Sequence, residues 1–145
     1  MKLDIAAPAP PWLHSQLRND THYIGALPLC AVLLMNNTAC PWVILVPASG
    51  EWREVIELPP DLRRQFWAEV DLASQVLVKN FAPDKINIAA LGNMVPQLHM
   101  HIVGRRADDP AWPRPVWGNL PPNPYADVAA GIDAWRRGFA AIGDF

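Results

Sequence analysis

A strict alternation of polar and apolar side chains over residues 97–103 constrains the fold of this chain more than any other feature. Successive side chains of a β-strand point to opposite faces of a sheet. Leu98, Met100 and Ile102 would therefore face an apolar core, while the opposite, open face would carry the polar set Gln97, His99 and His101. Such a segment predicts a half-buried strand in a sheet that is covered by helices on one face.

Other segments supply further strands for this sheet. Apolar runs at residues 29–35 and 42–46 are separated by an Asn- and Pro-containing stretch, a composition typical of a hairpin. Residues 85–90 predict a strand beside the alternating segment, and the loop after the hairpin leaves room for a short edge strand near Val55. These runs indicate an antiparallel sheet of about five strands.

Two amphipathic helices complete the pattern. The first is predicted over residues 60–81, with Pro60 and Asp61 in its first turn and Pro83 just past its end. The second is predicted over residues 125–143. The order of strands and helices is typical of an α+β fold with two main helices packed on one face of the sheet.

Length and composition indicate one globular domain over residues 1–145, of which 51% are hydrophobic and 18% charged. We divide it into an N-terminal arm (1–20), a Pro- and Trp-rich loop (104–124) and the C-terminal helix. The net charge of −2 is scattered, so no nucleic-acid polymer is expected as a partner. The sequence has no signal-peptide pattern and no run long enough to span a membrane, so we expect a soluble, cytoplasmic protein with no membrane partner.

The two histidines on one strand face are the strongest candidates for chemistry. Their backbones would lie about 7 Å apart, close enough for both side chains to touch one phosphate. Imidazole has an ordinary pKa near 6.5 and offers a neutral nucleophilic nitrogen at neutral pH. His99 suits the role of nucleophile, and His101 that of a phosphate contact or proton donor.

Two alternatives remain open for this pair. The histidines could be merely polar residues on a wet sheet face. They could also bind zinc, but a third ligand would have to come from His14, His22, Cys30 or Cys40, none of which has a diagnostic spacing. We therefore expect neither a metal nor another cofactor. We also expect both cysteines to be reduced and structural.

The segment 97–103, followed by Gly104 and Arg105, resembles the His-φ-His-φ-His-φ-φ signature of the histidine triad superfamily. The stretches 91–101, 109–113 and 115–118 are similar to a bacterial branch of that superfamily with Gln at the first triad position. The resemblance spans roughly residues 20 to 120. It implies the fold of that superfamily, the HIT-like fold.

The resemblance also implies roles for individual residues. His99 matches the nucleophile that forms a nucleotidyl-imidazole intermediate, and His101 matches the histidine that contacts the phosphate and the scissile oxygen. Gln97 replaces the first histidine and can still orient His99 by a hydrogen bond. Further substrate contacts are implied: Asn87 for the phosphate or ribose, Asn93 for the phosphate, and Leu34, Met35 and Asn36 for the base and ribose.

By this resemblance the chain would be a hydrolase or nucleotidyl transferase. It would act at the α-phosphate of a nucleoside phosphate such as a dinucleoside polyphosphate or a phosphoramidate. The alternative is a nucleotide-binding module with little or no catalysis, because Gln97 and Trp42 both stand where many relatives carry histidine. The resemblance further implies a homodimer.

Overall fold

The structure, a computed structural model, describes residues 1–142 and confirms the predicted fold class. Five antiparallel strands form one sheet in the order β1-β2-β3-β5-β4. The strands are β1 (Thr21–Ala26), β2 (Cys30–Met35), β3 (Trp42–Pro47), β4 (Lys85–Ala89) and β5 (Met100–Arg105). Three α-helices accompany them: α1 (Ser15–Asp20), α2 (Pro60–Phe81) and α3 (Val128–Ile142).

Helix α2 has the predicted bounds, and the same local signals explain them. Pro60 lies in the first turn, where its missing N–H is no loss. The helix ends at Phe81 and is capped by Ala82, whose backbone is left-handed (φ 43°) and whose N–H donates to the carbonyl of Val78. Phe66, Val70 and Leu77 belong to its buried stripe, which packs with α3 against one face of the sheet.

The opposite sheet face is not open, contrary to the prediction. β2 and β3 are apolar on both faces, so a second, smaller core forms there. Leu13 and Leu17, from the N-terminal arm and α1, pack onto this face together with Val95 and Val116. The histidine-bearing face is consequently a covered surface in which buried side chains can be held in fixed positions.

Several boundaries differ from those predicted. Val55 lies in a short 3₁₀ helix, Val55–Glu57, and not in an edge strand. β5 begins only at Met100, so Gln97 and His99 precede the regular strand. Helix α3 begins at Val128 rather than at residue 125, and residue 143 lies outside the described residues.

Strand β1 is not predicted by the sequence pattern. It contains Gly25 and an irregularity in its pairing with β2 between Tyr23 and Gly25, which together obscure the alternation expected of a strand. Across residues 1–142, no helix combines the length and the apolar character needed to span a membrane.

A buried carboxylate connects α2 to the start of β2. Glu69 is fully buried, and its side chain accepts hydrogen bonds from the backbone N–H groups of Leu29 and Cys30 and from the amide of Gln65. Burial raises the pKa of Glu69, while these donors act in the opposite direction. The carboxylate thus satisfies two buried backbone donors where the chain turns into β2.

Replacing this carboxylate tests how much it contributes to stability. Glu69→Ala leaves two buried N–H groups unpaired, so we expect the free energy of unfolding to fall by about 1–3 kcal/mol for each orphaned donor. Urea denaturation measures the change. As a control on the same helix, Gln75→Ala removes only an exposed hydrogen bond to Asp71 and should cost less than about 0.5 kcal/mol. Equal losses in the two variants would contradict this role for Glu69.

Candidate functional site

His99 and His101 lie together on the covered face of the sheet, where the polar alternation places them. Their ring centroids are 5.0 Å apart and the ring planes meet at 65°. The side chains are only 7% and 5% exposed, respectively. His101 is fixed within β5, opposite Ile44 of β3 and Ala89 of β4, whereas His99 occupies the approach to that strand.

The tautomer of His99 is set by the backbone beside it. Its Nδ1 lies 2.7 Å from the carbonyl oxygen of Gln97. Because a carbonyl only accepts hydrogen bonds, Nδ1 carries the proton in the neutral ring, and Nε2 keeps a lone pair. In the neutral ring, the nucleophilic nitrogen of His99 is therefore Nε2, on the side away from the backbone.

His101 is held in the opposite tautomer. The indole N–H of Trp42 donates to His101 Nδ1 over 3.1 Å. Since that nitrogen accepts, the proton of the neutral ring is on Nε2, which can donate to a ligand. Burial, followed by the neighbouring His99, lowers the pKa of His101 to about 3. At neutral pH His101 therefore carries no positive charge and presents a donor nitrogen.

Two tryptophans enclose His101 and connect it to a cavity. The Trp117 ring lies 5.3 Å from that of His101 and 6.2 Å from that of Trp42, edge-on in both cases. A cavity of about 390 Å³ opens beside them and is lined by both tryptophans. The indole nitrogen of Trp117 is buried without a hydrogen-bond partner among the described residues.

The residues predicted to contact the base and ribose divide into two groups. Met35 and Asn36 line the cavity, and the side-chain oxygen of Asn36 also accepts from the backbone N–H of Tyr125. Leu34 does not line it. Its side chain points to the other face of β2 and is fully buried in the core under the helices, so the prediction of Leu34 as a base contact is wrong.

The two residues predicted to contact the phosphate, Asn87 and Asn93, lie in different settings. Asn87 is on β4, paired with Val103, and shares the sheet face of His101. Its side-chain oxygen accepts from the guanidinium of Arg105 over 2.9 Å, so its amide N–H₂ group is turned away from that contact. Asn93 is exposed in the loop between β4 and β5.

Arg105 is part of the site's framework, a role that sequence reasoning missed. It is 2% exposed and makes a bidentate ion pair with Asp109, in which Nε and Nη2 donate to the two carboxylate oxygens at 2.8 and 3.0 Å. The ion pair lowers the pKa of Asp109 to about 2. Arg105 also donates to the carbonyl of Arg114 and so holds the segment that leads to Trp117. The available signal was an arginine at a strand end followed four residues later by an aspartate.

Contrary to the prediction, Gln97 does not orient His99 through its side chain. Its amide N–H₂ donates to the carbonyls of Trp12 and Gly50, at 3.0 and 3.3 Å, and its oxygen accepts from the N–H of His14 at 2.8 Å. The Gln97 side chain therefore joins the N-terminal arm, the loop after β3 and the segment before β5. Only its backbone carbonyl bonds to His99.

The histidine pair has no further ligand-type side chains grouped with it. In the described range 1–142, no three His, Cys, Asp or Glu side chains lie close enough together to hold a metal ion. Cys30 and Cys40 are both buried, and neither forms a disulfide. His14 uses its Nδ1 to cap the first turn of α1.

Comparisons with known proteins agree with this architecture. The chain is similar to solved histidine triad proteins from Bradyrhizobium japonicum (45% identity, 87% of this chain and 96% of that one, TM-score 0.83) and Marinobacter aquaeolei VT8 (44%, 90% and 97%, 0.85). A hypothetical histidine triad nucleotide-binding protein from Sulfolobus tokodaii strain7 shares the fold at 15% identity (86% and 90%, 0.64).

No protein with a curated description matches the chain significantly. The HIT domain family matches residues 16–108, a span that contains the whole sheet, helix α2 and the histidine pair. The chain belongs to the HIT domain family, the histidine triad proteins.

Proposed function

We propose that this protein binds a nucleoside phosphate and attacks its α-phosphorus with Nε2 of His99, acting as a hydrolase or nucleotidyl transferase. The hydrogen bond between His99 Nδ1 and the Gln97 carbonyl carries the proposal. In the neutral ring it makes Nε2 the nitrogen with the free lone pair, so no separate base is needed to activate the nucleophile. The site is therefore prepared for attack before substrate binds.

The cavity lined by Trp42 and Trp117, the two rings that contact His101, suits the nucleoside. Its volume of about 390 Å³ is within the usual range for small-molecule sites. Trp117 and Met35 offer apolar contact to a base, and Asn36 offers an amide to a ribose hydroxyl. The nucleotide-binding name of the Sulfolobus tokodaii protein is consistent with this ligand class.

In the proposed reaction, the lone pair of His99 Nε2 forms a bond to the α-phosphorus as the bond to the leaving group breaks. His101 Nε2–H donates to the phosphate or to the scissile atom and stabilises the charge that develops there. The amide of Asn87, held by Arg105, and that of Asn93 are further phosphate contacts. Water or another acceptor then takes the nucleotidyl group and restores the free imidazole.

We further propose a homodimer built on the β4 edge of the sheet. β4 pairs with β5 on one side only. Ile88 is exposed on this strand, and Leu91 and Met94 are exposed in the loop that follows it, the last of them at 92%. A second copy that covers this edge would remove apolar surface and unpaired strand groups from water.

Substitution of the two histidines tests the division of roles. His99→Ala removes the nucleophile and should lower turnover on the order of 10⁴-fold or more, while the affinity for AMP changes far less. His101→Ala removes one donor and should lower turnover by about 10²–10³-fold. Rapid quenching of the native protein with a dinucleoside polyphosphate should trap a nucleotide on the peptide that contains His99.

Three outcomes would contradict the covalent mechanism. They are an adduct on another residue, unchanged turnover by the His99→Ala variant, and tight AMP binding without an adduct or product from any nucleotide tested. The last outcome would instead support a binding module without catalysis.

A separate variant tests Gln97 as a clamp on the N-terminal arm. Gln97→Ala keeps the backbone carbonyl that orients His99, so turnover should fall by no more than about 10–100-fold. Amide hydrogen exchange over residues 13–17 should become faster, because the contacts to Trp12 and His14 are lost. Gln16→Ala, which removes only an exposed contact to Asp20, is the control. A larger loss of turnover with unchanged exchange would show that the Gln97 side chain acts on His99 itself.

A further inference from the structure

We infer that the substrates of this site are phosphoanhydrides, whose leaving group departs as an anion, and that phosphoramidates are poor substrates. The inference rests on the proposed function and narrows it to one substrate class. It is carried by the contact between Trp42 and His101, in which the indole N–H donates a hydrogen bond to Nδ1 of the imidazole.

An indole nitrogen can donate a hydrogen bond but cannot accept one. Protonating Nδ1 of His101 would therefore bring two N–H groups face to face across 3.1 Å. The rings of His99, Trp42 and Trp117 surround His101 at 5.0, 5.7 and 5.3 Å and leave it little room to turn away. This arrangement keeps His101 neutral, with its only proton on Nε2.

A neutral His101 can stabilise a leaving group but cannot protonate it. Transfer of the Nε2 proton would leave an imidazolate, since Nδ1 has no proton either. His99 is the titratable side chain that faces His101, and it also lowers the pKa of His101. The Nδ1 proton of His99 is itself bonded to the Gln97 carbonyl. Among the described residues, no Asp or Glu side chain is grouped with the two histidines.

This lack of a proton donor separates two kinds of leaving group. When the P–O bond of an anhydride breaks, the electron pair stays on the bridging oxygen, which becomes a terminal phosphate oxygen and is stable as an anion at neutral pH. When a P–N bond breaks, the leaving nitrogen must gain a proton to depart as an amine. His101 Nε2–H suffices as a hydrogen-bond donor in the first case and does not supply the proton in the second.

The rest of the cycle balances without an acid. Attack by neutral His99 gives a nucleotidyl imidazolium, which keeps its Nδ1 proton. Water then attacks phosphorus, the P–N electron pair returns to His99 Nε2, and the proton lost by water passes to solvent. The products are a nucleoside monophosphate and the anionic leaving group.

The test compares two substrates that share the adenosine 5′-phosphoryl group. Diadenosine tetraphosphate has an anhydride leaving group, and an adenosine 5′-phosphoramidate of a primary alkylamine has an amine. We expect kcat/KM for the anhydride to be higher by about 10²-fold or more, the usual contribution of a general acid. Comparable values for the two substrates would overturn the inference but not the proposed function. Hydrolysis of neither would overturn both.

Substitution at position 42 provides a matched pair of variants. Trp42→His introduces a ring that can accept a hydrogen bond from Nδ1–H, so His101 can be protonated. The ratio of kcat/KM for the anhydride to kcat/KM for the phosphoramidate should then fall by about 10-fold or more. Trp42→Phe removes the indole N–H but adds no acceptor, so a protonated Nδ1 would be buried without a partner and the preference for the anhydride should remain. A fall in this kcat/KM ratio in the Phe variant but not in the His variant would contradict the inference.

A direct measurement of the protonation state of His101 tests the inference even if these variants fold poorly. Nitrogen-15 NMR of the native imidazoles should show an unprotonated Nδ1 and a protonated Nε2 at His101 throughout pH 5–8. An imidazolium at His101 within that range would overturn the inference.

Discussion

The hydrogen bond from His99 Nδ1 to the carbonyl of Gln97 is the interaction on which the proposed chemistry depends. It exists because β5 begins only at Met100, so the carbonyl of residue 97 bonds to a side chain rather than to a neighbouring strand. In the neutral ring it places the free lone pair on Nε2 of a buried imidazole. The opposite tautomer at His101, imposed by Trp42, supplies the complementary donor.

Contacts between segments far apart in the chain hold this pair in place. The Gln97 side chain joins the N-terminal arm to the loop after β3. The buried pair of Arg105 and Asp109 fixes both Asn87 and the segment leading to Trp117. A buried ion pair of this kind is costly to desolvate and adds little net stability, but breaking it is strongly destabilising. Its contribution here is to fix geometry.

Local sequence patterns predicted the parts of the fold that local physics determines. The alternation around His99 correctly placed Leu98 and Ile102 in the core and the two histidines together, and helix α2 has the predicted bounds. The pattern could not reveal the partners of Gln97, which lie more than 40 residues away in sequence. Nor could it show that α1 covers the second face, because that requires the tertiary packing of Leu13 and Leu17.

The claim that His99 Nε2 is aimed at the α-phosphorus is tested most directly by a crystal structure with AMP bound. We predict the phosphorus at about 3–3.5 Å from Nε2, a distance suited to attack. The adenosine should occupy the cavity beside Met35 and Asn36. A phosphate bound away from His99, or a ring turned so that Nδ1 faces the phosphate, would contradict the account.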